Sequence, residues 1–477
     1  MLATLKPMNT ISGYDIVVIG AGIGGYTAAI RASQLGAHVL IVDKEGIGGT
    51  CLNKGCIPTK TFKATADLLT RLNNLEAFGL TGRNQIKPDI RNIVKHKNKI
   101  VNELVRGVEF LLKSYNVVFK KAFASFVAKN RLRLTNDDGS DEFVDSERFI
   151  ICTGSSASYL PNLQPDGKFI LTSDDILNID TLPKRLIIIG AGVIGTEFAF
   201  IFSSMDVEVT MLEAMPQILP TEDNDVSALI TRSLKKKGVK IKTNVTVNHS
   251  SINAQGVNVH LDTGEIVFGD IVLLAIGRKP NSGKLGLENT GINTGKNKEI
   301  VVDEFLSTKI NGIYACGDVI GGKMLAHVAY KEGVTAVSNL LENKKQTINY
   351  NAIPTVIYSD PEAASVGLTE NLAIKKGLKI KIGKFPYRAL GKAKAFSETE
   401  GEVKIIVEAE TYKVLGMHIV GAHASDIIAQ GAIAIQNGLT IQAFIDTVSA
   451  HPTYSEAIME AAEDVLSMSI HQPKKLR

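Results

Sequence analysis

Two of the chain's four cysteines, Cys51 and Cys56, stand in the stretch GGTCLNKGCIPTK, Gly48 to Lys60. Thiols so close in sequence can act as a dithiol–disulfide couple. An ideal helix holds Cα atoms at i and i+5 roughly 8 to 9 Å apart, beyond the about 4.4 to 6.8 Å that a bridge takes, so a bond between them demands a bent segment. Gly55 would tolerate the bend, and Pro58 a helix restarting after it. The same residues also read as two buried structural thiols, a common state of cysteine, and both readings stand on these residues alone. Much later, His451 and Glu456 in AHPTYSE set a carboxylate near an imidazole, the side chain suited to taking a thiol's proton near neutral pH. They too have a structural reading, in which Thr453-x-x-Glu456 is a capping box and His451 a helix-entry residue.

Two glycine runs supply the second kind of chemistry. Tyr14 to Ile19 reads as a buried strand leading into Gly20-Ala-Gly22-Ile-Gly-Gly25, then a helical stretch to Leu35 and Gly36, then a strand from His38 to Val42 that ends at Asp43. Such glycines permit a tight turn and close backbone approach, the helix N-terminus attracts pyrophosphate, and the acid binds ribose hydroxyls. The unit recurs as a strand Arg185–Ile189, Gly190-Ala-Gly192-Val-Ile-Gly195, a helix to about Met205, a strand Glu208–Leu212, and Glu213. One such run is weak evidence. Two with strand, helix, strand and acid at matching offsets imply two nucleotide sites, and so an α/β fold with two Rossmann-like dinucleotide-binding domains.

The remaining elements are read around these units. A helical stretch is expected from Thr59 to Leu112, with strands around Val117 to Phe126, Arg131 to Thr135 and Phe149 to Thr153, the last closing into Gly154-Ser155. Lys240 to Val247, Val257 to Leu261 and Ile271 to Ile276 follow as strands, the last ending in Gly277-Arg278-Lys279-Pro280-Asn281. Gly312 to Cys316 ends at Gly317-Asp318, where the acid either offers a carboxylate to a ribityl chain or caps a helix. From about Ile353 the pattern is that of a separate α+β domain. Its strands are Thr355 to Tyr358, Lys379 to Pro386, Glu402 to Val407 and Val414 to Val420, and its helices Ser425 to Asn437 and Ser455 to Met468.

Composition narrows the class. A chain of 477 residues exceeds one hydrophobic core, so about two to four domains are expected. Lys plus Arg of 53 against Asp plus Glu of 49 gives a net charge of +4 without long like-charge blocks, which gives nucleic-acid binding no support. Lys235-Lys236-Lys237 reads as a solvated helix end before Gly238. No apolar run reaches the about 18 residues of a membrane span, and the first twelve residues lack a hydrophobic signal core, so a cytoplasmic protein is expected. Met1 to Thr10 is polar and without acids, yet short and free of Arg for an organellar leader. Four cysteines do not make a secreted disulfide scaffold; Cys152 and Cys316, in apolar runs, read as core packing. No metal site is expected.

Taken together, the motifs resemble the flavin-dependent pyridine nucleotide-disulfide oxidoreductases, most closely the branch that oxidises dihydrolipoyl groups. The first glycine run, GGTCLNKGCIPTK, TGS at Thr153 to Ser155, GAGVIGTE, AIGRKPN, YACGDV, MLAHVAYKEG, DPEAASVGLTE and HPTYSEA occur in family order along nearly the full length. The resemblance implies an FAD-binding domain in residues 1–152 completed by a central segment 283–352, an NAD-binding domain in 153–282, and a dimerisation domain in 353–477. It implies one non-covalent FAD per subunit, NAD+/NADH as substrate, and a homodimer whose active site is shared across subunits. The partners it implies are lipoyl domains of 2-oxo acid dehydrogenase complexes or the glycine cleavage carrier protein.

By the same resemblance Cys51 is the interchange thiol, Cys56 the thiol lying against the flavin, and Lys60 the lysine near the flavin ring, where a cation favours the reduced, anionic form. Glu197 matches the glutamate pairing with that lysine and contacting nicotinamide. His451 matches the catalytic base and Glu456 the carboxylate orienting it, both from the opposite subunit. FAD contacts fall on Gly20, Gly22, Gly25, Asp43, Lys44, Gly49, Thr50, Ala124, Thr153, Gly154, Ser155, Asp318, Met324, Leu325, Ala326 and His327. NAD contacts fall on Gly190, Gly192, Val193, Ile194, Gly195, Glu213, Val245, Ala275, Ile276, Gly277 and Arg278, the last bordering the NAD site.

Four positions depart from the family pattern. Ser449 replaces a second histidine, Tyr454 replaces leucine and could alter the substrate channel, Lys54 replaces a small apolar residue and could depress a thiol pKa, and Asp43 stands for glutamate. No Arg or Lys follows Glu213 in Ala214-Met-Pro-Gln217, which favours NAD over NADP. That weighs against the NADPH-dependent glutathione-type and mercuric reductases; transhydrogenases lack the disulfide. A flavin-bearing but non-catalytic complex subunit is the rival from another class, and retention of Cys51, Cys56 and His451 argues against it.

Overall fold

Ile16–Ile19 and Val39–Asp43 are apolar at almost every position, the composition of strands covered on both faces. Val17, Ile19, Leu40 and Val42 are buried in one cluster with Phe149 and Ile151, while Ile16, Val18, Val39 and Ile41 are buried in another with Ala28, Ala29 and Ala32 of the helix Ile23–Gln34. The computed structural model describes residues 10–11, 13–72, 75–82 and 86–473, which fall into two units.

The first unit holds the described residues up to Thr59 with Val94–Ser158 and Arg278–Ile348. Its centre is a five-stranded, wholly parallel sheet in the order Ile313–Ala315, Phe149–Ile151, Ile16–Ile19, Val39–Asp43, Val118–Lys121. The helices Ile23–Gln34 and Ala326–Glu342 pack together. Of the head Met1 to Thr10, only Thr10 lies within the described residues; Thr10–Ile11 pair in parallel with Phe143 and Val144.

The second unit holds Lys60–Ile93, Tyr159–Gly277 and the chain from Asn349. It contains a second parallel sheet, Ile170–Thr172, Ile271–Leu274, Arg185–Ile189, Glu208–Leu212, Lys240–Lys242. It also contains an antiparallel one, Thr355–Ile357, Ala363–Gly367, Val414–Val420, Glu402–Glu408, Ile380–Pro386, with the helices Ala424–Asn437 and Glu456–Val465 packed against it. The lysine run ends the helix Asn224–Lys236, with Gly238 left-handed behind it.

Three expectations are corrected. Lys240 to Val247 is not one strand: Lys240–Lys242 and Val247–Asn253 are separate strands in different sheets. The stretch from Thr59 to Leu112 is not one helical run: the helix Cys56–Leu72 is followed by a 3-10 turn, Leu75–Phe78, and helix resumes only at Ile90–Ser114. Gly79 and Gly82, both at positive φ, and Pro88 break the intervening segment. Ala363–Gly367, not foreseen as a strand, lies inside the antiparallel sheet between Thr355–Ile357 and Val414–Val420.

Candidate active site

The glycines of the two runs divide by what surrounds them. Gly20 is at φ +104, and a Cβ there would lie 2.3 Å from the Cys152 carbonyl oxygen; at Gly25 it would lie 1.8 Å from the Gly20 oxygen. Gly190, at φ +97, and Gly195 are constrained alike, 2.5 Å from the Ala275 oxygen and 2.0 Å from the Gly190 oxygen. The middle glycines are different: at Gly22 a Cβ would meet only Gly49 Cα at 3.7 Å, and at Gly192 nothing within 4 Å. Each caps the N-terminus of its helix without a side-chain hydrogen bond. Protein packing therefore demands the first and third glycines, while the second keeps open the space before a helix N-terminus that a phosphate group fits.

Both strand-end acids brace these loops. The Asp43 carboxylate accepts from the Ala21 N–H at 2.8 Å, and its other oxygen from Glu45 and Gly46 at 2.7 and 3.1 Å. Glu213 accepts from Ala191 at 2.7 Å and Met215 at 2.8 Å. The role of holding the loop to the strand end went unforeseen. Beside them, Lys44 pairs with Glu45 at 3.5 Å, Ala124 is buried, and the Val245 N–H donates to the Glu213 carbonyl at 3.1 Å.

The cysteine stretch is bent as a bridge would require. Cys51 lies in the helix Gly49–Asn53 and Cys56 opens the helix Cys56–Leu72, with Lys54 at φ −149 and Gly55 between them. A Cβ at Gly55 would fall 2.9 Å from the Thr50 oxygen and 3.3 Å from Cys51 Cα, so this close turn needs glycine. Cys51 is half-buried and Cys56 exposed. Lys54 reaches Glu45 Oε2 at 2.7 Å. Its hydrogen bond holds the Glu45 carboxyl below the usual range against burial, so the extra cation engages a carboxylate.

One turn beyond Cys56, Lys60 Nζ meets both oxygens of buried Glu197 at 3.0 and 2.8 Å and stands 4.3 Å from the centre of the Tyr358 ring. The Tyr358 N–H donates to Glu197 Oε1 at 3.0 Å. Tyr358 was missed, although it adjoins the DPEAASVG motif.

In the first unit, Arg278 Nε donates to Ser155 Oγ at 2.7 Å, and Nη2 to the Ser155 carbonyl at 2.8 Å and Thr50 Oγ1 at 3.4 Å. Ser155 Oγ donates to Asp318 Oδ2 at 2.5 Å. The guanidinium thus sits among residues assigned to FAD. Asp318 lies inside the 3-10 turn Gly317–Ile320, whose cap position is Cys316, so the helix-cap reading does not apply. Asn281, also missed, holds Thr153 through two bonds, accepting from its Oγ1 at 2.9 Å and donating to its carbonyl at 3.1 Å.

His451 is exposed, with its Nδ1 2.8 Å from Glu456 Oε1, while Glu456 Oε2 accepts the Thr453 N–H at 2.8 Å. Only half a capping box forms, since Thr453 Oγ1 donates instead to the Ala450 carbonyl. Tyr454 is 5% exposed, stacked on Tyr387 and His423, and its hydroxyl donates to Glu398. It is a core residue of this unit, which corrects the channel reading.

Of the expected site residues, Cys51 and Cys56 fall in the first unit with Gly20, Gly22, Gly25, Asp43, Lys44, Gly49, Thr50, Ala124, Thr153–Ser155, Arg278, Asp318 and Met324–His327. Lys60, Gly190, Gly192–Gly195, Glu197, Glu213, Val245, Ala275–Gly277, His451 and Glu456 fall in the second. Among the described residues no group of three or more His, Cys, Asp or Glu could hold a metal ion, and no helix is long and apolar enough to cross a membrane.

Two family models cover most of the chain: pyridine nucleotide-disulphide oxidoreductase over residues 14–333 and the dimerisation domain of the same family over residues 353–462. The chain belongs to the pyridine nucleotide-disulphide oxidoreductase family, enzymes that bind FAD and use NAD(H). It is 38% identical to the mitochondrial dihydrolipoyl dehydrogenase of Pisum sativum, across 96% of this chain and 92% of that one. It is equally similar, at 38%, to the dihydrolipoyl dehydrogenase of Bacillus subtilis, across 96% and 99%. The crystal structure of LpdA from Mycobacterium tuberculosis superposes with a TM-score of 0.89 at 30% identity, covering 95% of this chain and 99% of that one.

Proposed function

We propose that the chain oxidises protein-bound dihydrolipoyl groups to lipoyl groups and reduces NAD+ to NADH, as a homodimer. The division of labour follows the sequence: residues 1–152 and 283–352 hold FAD, 153–282 bind NAD, and 353–477 form the subunit interface. FAD supplies the two-electron relay between the dithiol and NAD+. It would be held by the first glycine loop, Asp43, Thr50 and Asp318; the open position at Gly22 and the braced loop support that fit.

The chain's own residues carry the thiol chemistry. His451 of one subunit, its Nδ1 donating to Glu456, takes a proton at Nε2 from a substrate thiol. The thiolate attacks Cys51 Sγ in its disulfide with Cys56, and Cys56 leaves as a thiolate. The second substrate thiol then displaces Cys51 and oxidised lipoyl departs. The substrate loses two electrons and two protons, NAD+ gains a hydride, and one proton is released. Lys60, held by both Glu197 oxygens, would offer the cation that favours reduction of a bound flavin.

The observation that carries this reading is an exposed imidazole held at Nδ1 by a carboxylate whose other oxygen is anchored to backbone. Steady-state oxidation of dihydrolipoamide with NAD+ and NADP+ tests it. Turnover with NAD+ well above NADP+ is expected; no dihydrolipoamide turnover overturns the substrate, and faster turnover with NADP+ overturns the reading of Glu213.

A further inference from the structure

Cys152 and Cys316, read from the sequence as core packing, are placed for chemistry of their own. Each follows the end of an adjacent strand in the first unit's parallel sheet. Ala315 pairs with Ile151, so the next residue on each strand, Cys316 and Cys152, stand side by side, and the Cys316 N–H donates to the Ile151 carbonyl at 3.0 Å. Their sulfurs are 3.2 Å apart. Neighbouring strands run about 4.8 Å apart, inside the about 4.4 to 6.8 Å Cα separation of disulfides. The hydrogen bond shared with Cys152 and complete burial push the Cys316 thiol well above its usual range, so Cys316 enters any exchange as a neutral thiol beside its partner.

The pair also touches the first glycine loop. A Cβ at Gly24 would lie 3.4 Å from Cys316 Sγ, one at Gly25 3.5 Å from Cys152 Cβ, and one at Gly20 2.3 Å from the Cys152 oxygen. Thr153–Ser155 and Gly317–Asp318, which hold Arg278, follow the two cysteines directly.

We propose that Cys152 and Cys316 are a second redox couple, a buried dithiol that a small uncharged peroxide closes to a disulfide beneath the first nucleotide loop, loosening the flavin. Cys152, 7% exposed against 0% for Cys316, reacts first. Its sulfur attacks the O–O bond and becomes a sulfenic acid, and one water leaves. The Cys316 sulfur then attacks the Cys152 sulfur. The S–S bond forms, the S–O bond breaks, and the departing hydroxyl takes the Cys316 proton as a second water. Two electrons and two hydrogens pass from the dithiol to the peroxide.

The test is to treat holoenzyme with hydrogen peroxide, alkylate remaining thiols after denaturation, and map peptides by mass spectrometry, with free flavin measured in the ultrafiltrate. A peptide linking Cys152 to Cys316 is expected, with more flavin released than from untreated enzyme. In a Cys51→Ser/Cys56→Ser background, the intact mass should fall by two hydrogens on oxidation, and adding Cys316→Ala should abolish that loss. Full alkylation of both cysteines, or Cys152 oxidised to sulfinic acid without linkage, overturns the couple. Linkage with unchanged flavin retention overturns its effect on the loop. None of these readouts depends on the lipoyl substrate.

Discussion

Glu456 commits one carboxylate oxygen to His451 and the other to the Thr453 N–H, so the part proposed for it in the reaction is orientation. Glu456→Gln keeps the shape but can present an amide nitrogen to Nδ1, favouring the wrong tautomer. We expect kcat for dihydrolipoamide to fall about 10²-fold with the fold intact, checked by steady-state kinetics beside circular dichroism. Lys60 and Glu197 make a complementary case. Lys60→Met would strip the buried Glu197 carboxylate of its cation and leave it the Tyr358 N–H, and should cost about 3 kcal/mol, read as a lowered thermal midpoint. At this scale the thiols, glycines and His451–Glu456 were legible because each motif is local in the chain. Tyr358 and Asn281 were not, since one donates a backbone N–H to Glu197 and the other bonds Thr153, long-range pairings that no local pattern encodes. Tyr454 misled because burial, and not its place beside His451, decides its role.

The glycine-led turns give the sharpest contrast between elements. Gly195→Ala would drive a Cβ to 2.0 Å from the Gly190 oxygen, whereas Gly192→Ala meets no atom within 4 Å. The first should therefore lower thermal stability, while the second should leave it unchanged and raise the KM for NAD+ at least about 10-fold, which thermal denaturation and kinetics separate. Strand and helix identities in both nucleotide units were legible from apolar runs closed by glycine; Arg185–Ile189 and Glu208–Leu212 match the expected bounds. Ala363–Gly367 escaped because its Ala-Ala-Ser content lacks the β-branched signal, and its sheet neighbours supply what propensity does not. The break after Leu72 escaped because helical periodicity on both sides masks a short glycine-bearing gap.

At the scale of the molecule, charge as well as apolar packing unites the second unit. Lys404, 2% exposed, contacts Asp223, Asp225 and Glu370 at 2.7 to 2.8 Å. Burial would raise the carboxyls of Asp223 and Asp225, but hydrogen bonds from Lys404, joined at Asp223 by the Glu370 N–H and at Asp225 by Lys384, hold both below the usual range. A depressed carboxyl contributes stability that is present above its unfolded pKa, about 3.9, and is lost as pH falls through the lower folded value. Wild type should thus lose stability below about pH 4. Lys404→Met should be less stable at neutral pH, and the gap in thermal midpoint should narrow as acid protonates the stranded carboxylates. None of this network was visible in the sequence, where its members lie in separate segments.

The central claim is that Cys51 and the His451 serving it come from different chains. Cys51→Ser and His451→Gln proteins, each inactive alone, are to be unfolded together in equal amounts, refolded with FAD and assayed. Random pairing puts half the dimers in mixed form with one intact site each, so the account predicts about a quarter of the wild-type rate. Activity no greater than the sum of the two parents, in a preparation shown to contain mixed dimers, would contradict it.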